Sequence, residues 1–186
     1  MRTIIAVVLA AAISAVGLVS AAHWLGGGSV LFAVLVVWLP MVALGSTSHF
    51  LTVRLPRCWH ELHNWERGGR VYERLGVRFA KAALRRGPLS AFNPGLHLPR
   101  QHSAAELLAL EGRMCEAEAT HVILFVVTLC PLVHALGRGW MVAAGVIAGG
   151  NLVMNGYPAM LQRYNRVLLR RRFGEPSPTA LTVREG

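Results

Sequence analysis

Four apolar stretches constrain this chain more than any other feature in it. Thr3–Ala22, Val30–Ser46, Ala119–Leu136 and Trp140–Leu161 each approach the roughly 20 mainly apolar residues that a helix needs to cross a bilayer. The second is a little short and can extend into Thr47-Ser48-His49-Phe50. A mean hydropathy of +0.45 with 54% hydrophobic residues sets the chain apart from soluble enzymes. The first stretch also reads as a cleaved signal peptide, with one Arg, an apolar core and the small residues Ser20-Ala21-Ala22. A second apolar segment follows so closely that a helical hairpin is the preferred reading.

Charge orients these segments. Lys and Arg number 19 against nine acids, all of them Glu. Eleven of the basic residues lie between Arg54 and Arg113 and six from Arg163 onward, whereas the Gly137–Gly139 turn holds only Arg138. Basic loops stay on the cytoplasmic side. The central region and both termini are therefore expected in the cytoplasm, and anionic lipid is the expected partner of the surplus charge. Nothing in the chain reads as a nucleic-acid recognition module. The three cysteines form no CxxC pair and carry no disulfide or zinc signature.

Between the hydrophobic hairpins, Leu62 to Leu84 shows two opposed stripes. Apolar residues fall at Leu62, Trp65, Tyr72, Leu75, Phe79 and Ala83, and basic ones at Arg67, Arg70, Arg74, Arg78, Lys81 and Arg85. At about 100° per residue the sets lie on opposite sides of one helix. The spacing predicts an amphipathic helix in the membrane interface, with Trp65, Tyr72 and Phe79 toward the acyl region and Arg70, Arg74, Arg78 and Lys81 toward headgroups. Packing on protein is the alternative, and Gly68-Gly69 and Gly76 weaken the helix. Breakers follow from Pro88 through Pro99, and then Ser103 and Glu106 have the spacing of a capping box. That helix runs toward Leu136, with a kink expected at Pro131. The resulting division is a hairpin over 1–50, a cytoplasmic amphipathic helix and loop over 51–103, a second hairpin over 104–172 and a disordered tail over 173–186.

Polar residues inside apolar segments mark the chemistry, because they are costly there unless partnered. Glu118 and His121, three apart, share a helical face. A carboxylate beside an imidazole fixes its tautomer, so the pair can deprotonate a hydroxyl for attack on an acyl carbonyl. It can equally pack two helices. Asn151, Asn155, Gln162 and Arg166 fall within about 60° of one another and must face the bundle interior or a cleft. Their amides suit sugar hydroxyls or cross-helix hydrogen bonds. Arg163 lies off that stripe at headgroup level, where a guanidinium suits phosphate. His60, Glu61, His63 and Glu66 lack the HExxH spacing of a zinc site, and no metal is expected.

The segment from Asn155 through Gln162-Arg163-Tyr164-Asn165-Arg166 resembles the C-terminal signature of the glycosyl-4,4'-diaponeurosporenoate acyltransferase family. Ala117-Glu118-Ala119-Thr120-His121 is similar to that family's entry to the preceding span. Glu66, Gly69, Leu75, Gly76, Val77, Arg78 and Lys81 are similar to its amphipathic segment. The resemblance implies a membrane enzyme that esterifies the sugar of a glycosylated carotenoid with a fatty acyl chain.

The sequence reading is thus an all-α, multi-pass cell-membrane protein with about four transmembrane helices and a cytoplasmic interfacial helix. It expects acyl transfer from an activated donor, acyl-CoA, to a sugar hydroxyl of a glycosyl carotenoid or similar glycolipid, with no bound cofactor. His121 is the expected base and Glu118 its orienter. Asn155 and Gln162 are expected at the sugar or oxyanion, Arg163 and Arg166 at the donor phosphates, and Asn165 among the substrate-binding residues. The rival reading is a scaffold that recruits lipid or pigment enzymes to the inner leaflet.

Overall fold

The computed structural model describes residues 2–47, 55–86 and 103–174. All regular structure among them is helical: α1 (Arg2–Leu25), α2 (Val30–Thr47), α3 (Arg57–His60), α4 (Arg70–Arg74), α5 (Val77–Arg86), α6 (Ala104–Gly137), α7 (Met141–Asn151) and α8 (Tyr157–Phe173). A π-helical turn, Leu152–Gly156, joins α7 to α8. The expected breaker loop after Arg86 and all but the first two residues of the expected tail over 173–186 lie outside the described residues, and Phe173 is helical as the last residue of α8. The chain forms two compact units. One comprises Met1–Arg54 and Ala119–Pro158, the other Leu55–Glu118 and Ala159–Gly186.

In the first unit, small residues let helices approach closely, the packing that serves where hydrophobic contrast between helices is weak. A Cβ on Gly17 would lie 2.9 Å from Leu39 Cδ2, and one on Gly150 would lie 3.3 Å from Val37. The core gathers Ala33, Val36, Val37, Ala135, Ala143, Ala144 and Ile147. Gly27 belongs to the turn after α1 because the Trp140 ring lies where its Cβ would be, at 2.8 Å. Polarity is inverted relative to a soluble bundle. Ser14, Thr128, Asn151 and Asn155 are buried, while Val19, Val126, Val133 and Val142 are exposed. One described helix, α6, is long and apolar enough to cross a membrane; Ala11–Leu25 and Val30–Leu44 are apolar but shorter.

The second unit corrects the expected continuous helix over Leu62–Leu84. Residues 61–69 form bends and turns, α4 lasts five residues, and a turn at Leu75-Gly76 separates it from α5. Gly69 (φ +69°) and Gly76 (φ +76°) take the left-handed conformation, which costs other residues roughly 1–2 kcal/mol. These breaks defeat the stripe geometry, since a uniform rotation per residue no longer relates the two sides. Tyr72, expected toward lipid, is only 4% exposed. Lys81 Nζ, expected toward headgroups, donates to Asn165 Oδ1 at 2.8 Å. Trp65, Phe79, Arg70, Arg74 and Arg78 are exposed. The capping box forms as its spacing predicts: Ser103 N–H donates to Glu106 at 2.9 Å and Glu106 N–H to Ser103 Oγ at 3.2 Å.

Candidate active site

Within the first unit, the polar side chains of α6 and α7 form a relay with a fixed direction. A backbone carbonyl only accepts, so Asn151 Nδ2 donates to Phe125 O, at 3.0 Å. That leaves Asn151 Oδ1 to accept from Asn155 Nδ2, at 2.9 Å. Asn155 Oδ1 in turn faces His121 Nδ1 at 3.5 Å, a long contact of the kind catalytic groups show before substrate binds. With both amides so oriented, His121 carries its proton on Nδ1, and Nε2 keeps the lone pair. Asn155 belongs to the π-helical turn, an insertion common at functional sites because it redirects one side chain without ending the helix. Asn151 and Asn155 are essentially inaccessible to solvent.

Within the second unit, charges replace neutral amides. Arg163 spends all five N–H donors. Nε reaches Glu66 Oε1, Nη1 reaches Trp59 O (2.6 Å) and Glu118 Oε1 (2.9 Å), and Nη2 reaches Glu61 O (2.9 Å) and Glu66 Oε2 (3.0 Å). Arg166, 1% exposed, donates to Glu118 Oε2 at 2.7 Å and to His60 O. Trp59 Nε1 adds a third hydrogen bond to Glu118, at 3.0 Å. Arg170 pairs with Glu111 at 2.7 Å. Burial pushes the Glu66 carboxyl up, but hydrogen bonds from Arg163, Tyr72 and the His63 backbone outweigh it and hold the group down at about 2. Burial likewise drives the Tyr72 hydroxyl upward, reinforced by Glu66, which it donates to. Burial lowers His60, with Arg166 and Arg163 adding to the effect against Glu118. His60 Nδ1, Asn165 Nδ2 and Arg166 Nε are buried without a hydrogen-bond partner. No group of three His, Cys or acidic side chains among the described residues is placed to hold a metal.

The model of the glycosyl-4,4'-diaponeurosporenoate acyltransferase family matches residues 56–174, close to two thirds of the chain. The chain belongs to that family. Membership implies an acyltransferase acting on glycosyl diaponeurosporenoate. No curated protein and no solved structure matches the chain. The matched region contains both clusters, and α1 and α2 precede it.

The structure distributes the expected site residues differently from their helical spacing. Glu118 and His121 are neighbours in sequence, yet the Glu118 carboxylate is filled by Trp59, Arg163 and Arg166. The group hydrogen-bonded to His121 is Asn155. Asn155, Gln162, Asn165 and Arg166 are all buried. Arg163 and Arg166, expected at donor phosphates, meet carboxylates and backbone carbonyls of the second unit, and each N–H of Arg163 has such a partner. Asn151 makes the cross-helix hydrogen bond that its amide suits, whereas sequence reasoning missed Glu66 and Glu111 as counterions, and Trp59, His60 and Tyr72 as network members. One signal was present, since a buried arginine stripe requires buried acids.

Proposed function

We propose that this family member is a membrane acyltransferase that moves a fatty acyl group from acyl-CoA to a sugar hydroxyl of a glycosylated carotenoid or similar glycolipid. Hydrocarbon surrounds α1, α2, α7 and the apolar part of α6, which cross the bilayer, and the basic loops stay on the cytoplasmic side. The outward valines and inward amides support that embedding. The observation that carries the chemistry is the relay from Phe125 O through Asn151 and Asn155 to His121, which frees Nε2.

His121 Nε2 takes the hydroxyl proton as the sugar oxygen attacks the thioester carbonyl carbon. The carbon–sulfur bond then breaks, and the imidazolium returns its proton to the departing thiolate, giving ester and free thiol. Asn155 orients the ring and stabilises the imidazolium through Oδ1. Glu118 anchors Arg163 and Arg166, which hold α8.

The test is lipid mass spectrometry on cells with and without the gene. An acylated glycolipid that disappears while its hydroxyl precursor accumulates fits the enzyme. Unchanged lipids at normal protein abundance would leave the scaffold reading instead.

A further inference from the structure

We propose that Arg67, Arg170 and Arg171 form a phosphate-binding pocket in the second unit. A cavity of about 180 Å³ is lined by these three arginines together with Leu62 and Val167. Val167, Arg170 and Arg171 stand at i, i+3 and i+4, so α8 presents them on one face. Leu62 and Arg67 come from the 61–69 segment. That segment is tied down by Arg163 through Glu66 and Glu61 O, and by Arg171 Nη1 through Gly68 O at 3.3 Å.

The charge balance favours an anion. Glu111 pairs with Arg170 and cancels about one of three positive charges. The C-terminal end of α8 contributes roughly half a negative charge more. More than one positive charge remains over a floor of Leu62 and Val167, both largely buried. Arginine forks match the tetrahedral oxygens of phosphate, and apolar walls strengthen the attraction by excluding water. The contrast with Arg163 is one of commitment: its five donors are consumed inside the protein, whereas Arg67 and Arg171 are exposed at the cavity.

Two sources carry this chemistry: the phosphates of the acyl donor and the headgroup of an anionic lipid. The first rests on the acyltransferase reading; the second does not. The full chain in phosphatidylcholine nanodiscs is titrated with coenzyme A. In parallel, lipid retained from mixed phosphatidylcholine and phosphatidylglycerol membranes is quantified. Arg67→Gln/Arg171→Gln removes two exposed cations and leaves the Arg170–Glu111 pair intact; an unchanged melting transition verifies its fold.

A donor site predicts coenzyme A binding that weakens about 10- to 30-fold in the double variant. A headgroup site predicts loss of phosphatidylglycerol enrichment by a similar factor. Wild type and variant that handle both probes alike would overturn the pocket. Acyl transfer measured on the same preparations separates the two claims. Transfer without either form of phosphate binding removes the pocket alone, and phosphate binding without transfer removes the enzyme alone.

Discussion

The two units solve the same problem, polar side chains away from water, by opposite means. The first holds no glutamate at all, and its relay runs from half-buried His121 through the buried amides of Asn155 and Asn151. The second holds all nine glutamates of the chain and buries Glu66, Glu118 and Arg166. An isolated ion in an apolar interior costs several kcal/mol, so charges persist there only in compensated sets. Amides need only a hydrogen bond each. The neutral relay therefore suits a group that must gain and lose a proton, and the ionic network suits fixed geometry. Disrupting the relay should cost turnover, and disrupting the network should cost stability.

The largest expected effect sharpens that division. His121→Gln keeps a hydrogen-bonding side chain but removes the base, and acyl transfer should fall roughly 10²–10⁴-fold. Membrane abundance should stay near wild type, and Asn155→Ala should follow the same pattern more mildly. Turnover per molecule of inserted protein is the measurement. Wild-type turnover in His121→Gln would exclude this base.

Next comes Arg163→Met, which leaves Glu66 and Glu118 without their shared cation. Breaking a buried ion pair from one side costs about 3–5 kcal/mol. The variant should lose abundance and melt far below wild type in detergent, with any surviving protein retaining turnover. A stable, inactive Arg163→Met would move Arg163 from the framework to the chemistry.

Acid should then unpick the second unit through Glu66. Its folded pKa is depressed to about 2 from an ordinary 4.5, so its contribution is complete above pH 4.5 and is lost as pH falls toward 2. A shift of that size corresponds to roughly 3 kcal/mol. Melting temperature followed from pH 5 to pH 2 should fall more steeply in wild type than in Glu66→Gln. Parallel curves would show that Glu66 is not the titrating group.

The smallest effect is local. Gly69→Ala meets a left-handed backbone and a Tyr164 carbon 3.1 Å from the new Cβ, and should cost about 1–2 kcal/mol. Gly68→Ala, with open space around its Cβ, should cost less. Equal losses from the two would mean that left-handed strain at Gly69 contributes nothing measurable.

Period and capping made the helices legible in the sequence. The α1–α2 and α6–α7 hairpins, the start of α6 at its Ser103–Glu106 box and the inward turn of Asn151, Asn155, Gln162 and Arg166 all follow from spacings within a few turns. The family was legible too, because Gln162-Arg163-Tyr164-Asn165-Arg166 and the Glu118–His121 entry are local strings. Partners were not. Spacing allowed Glu118 to orient His121, but Arg163, 45 residues away, takes that carboxylate instead. Tyr72 meets Glu66 only because bends and turns take the place of helix over residues 61–69. Helical periodicity determines which residues share a face; which charge answers which depends on long-range packing, where the desolvation cost of every buried ion must be met at once.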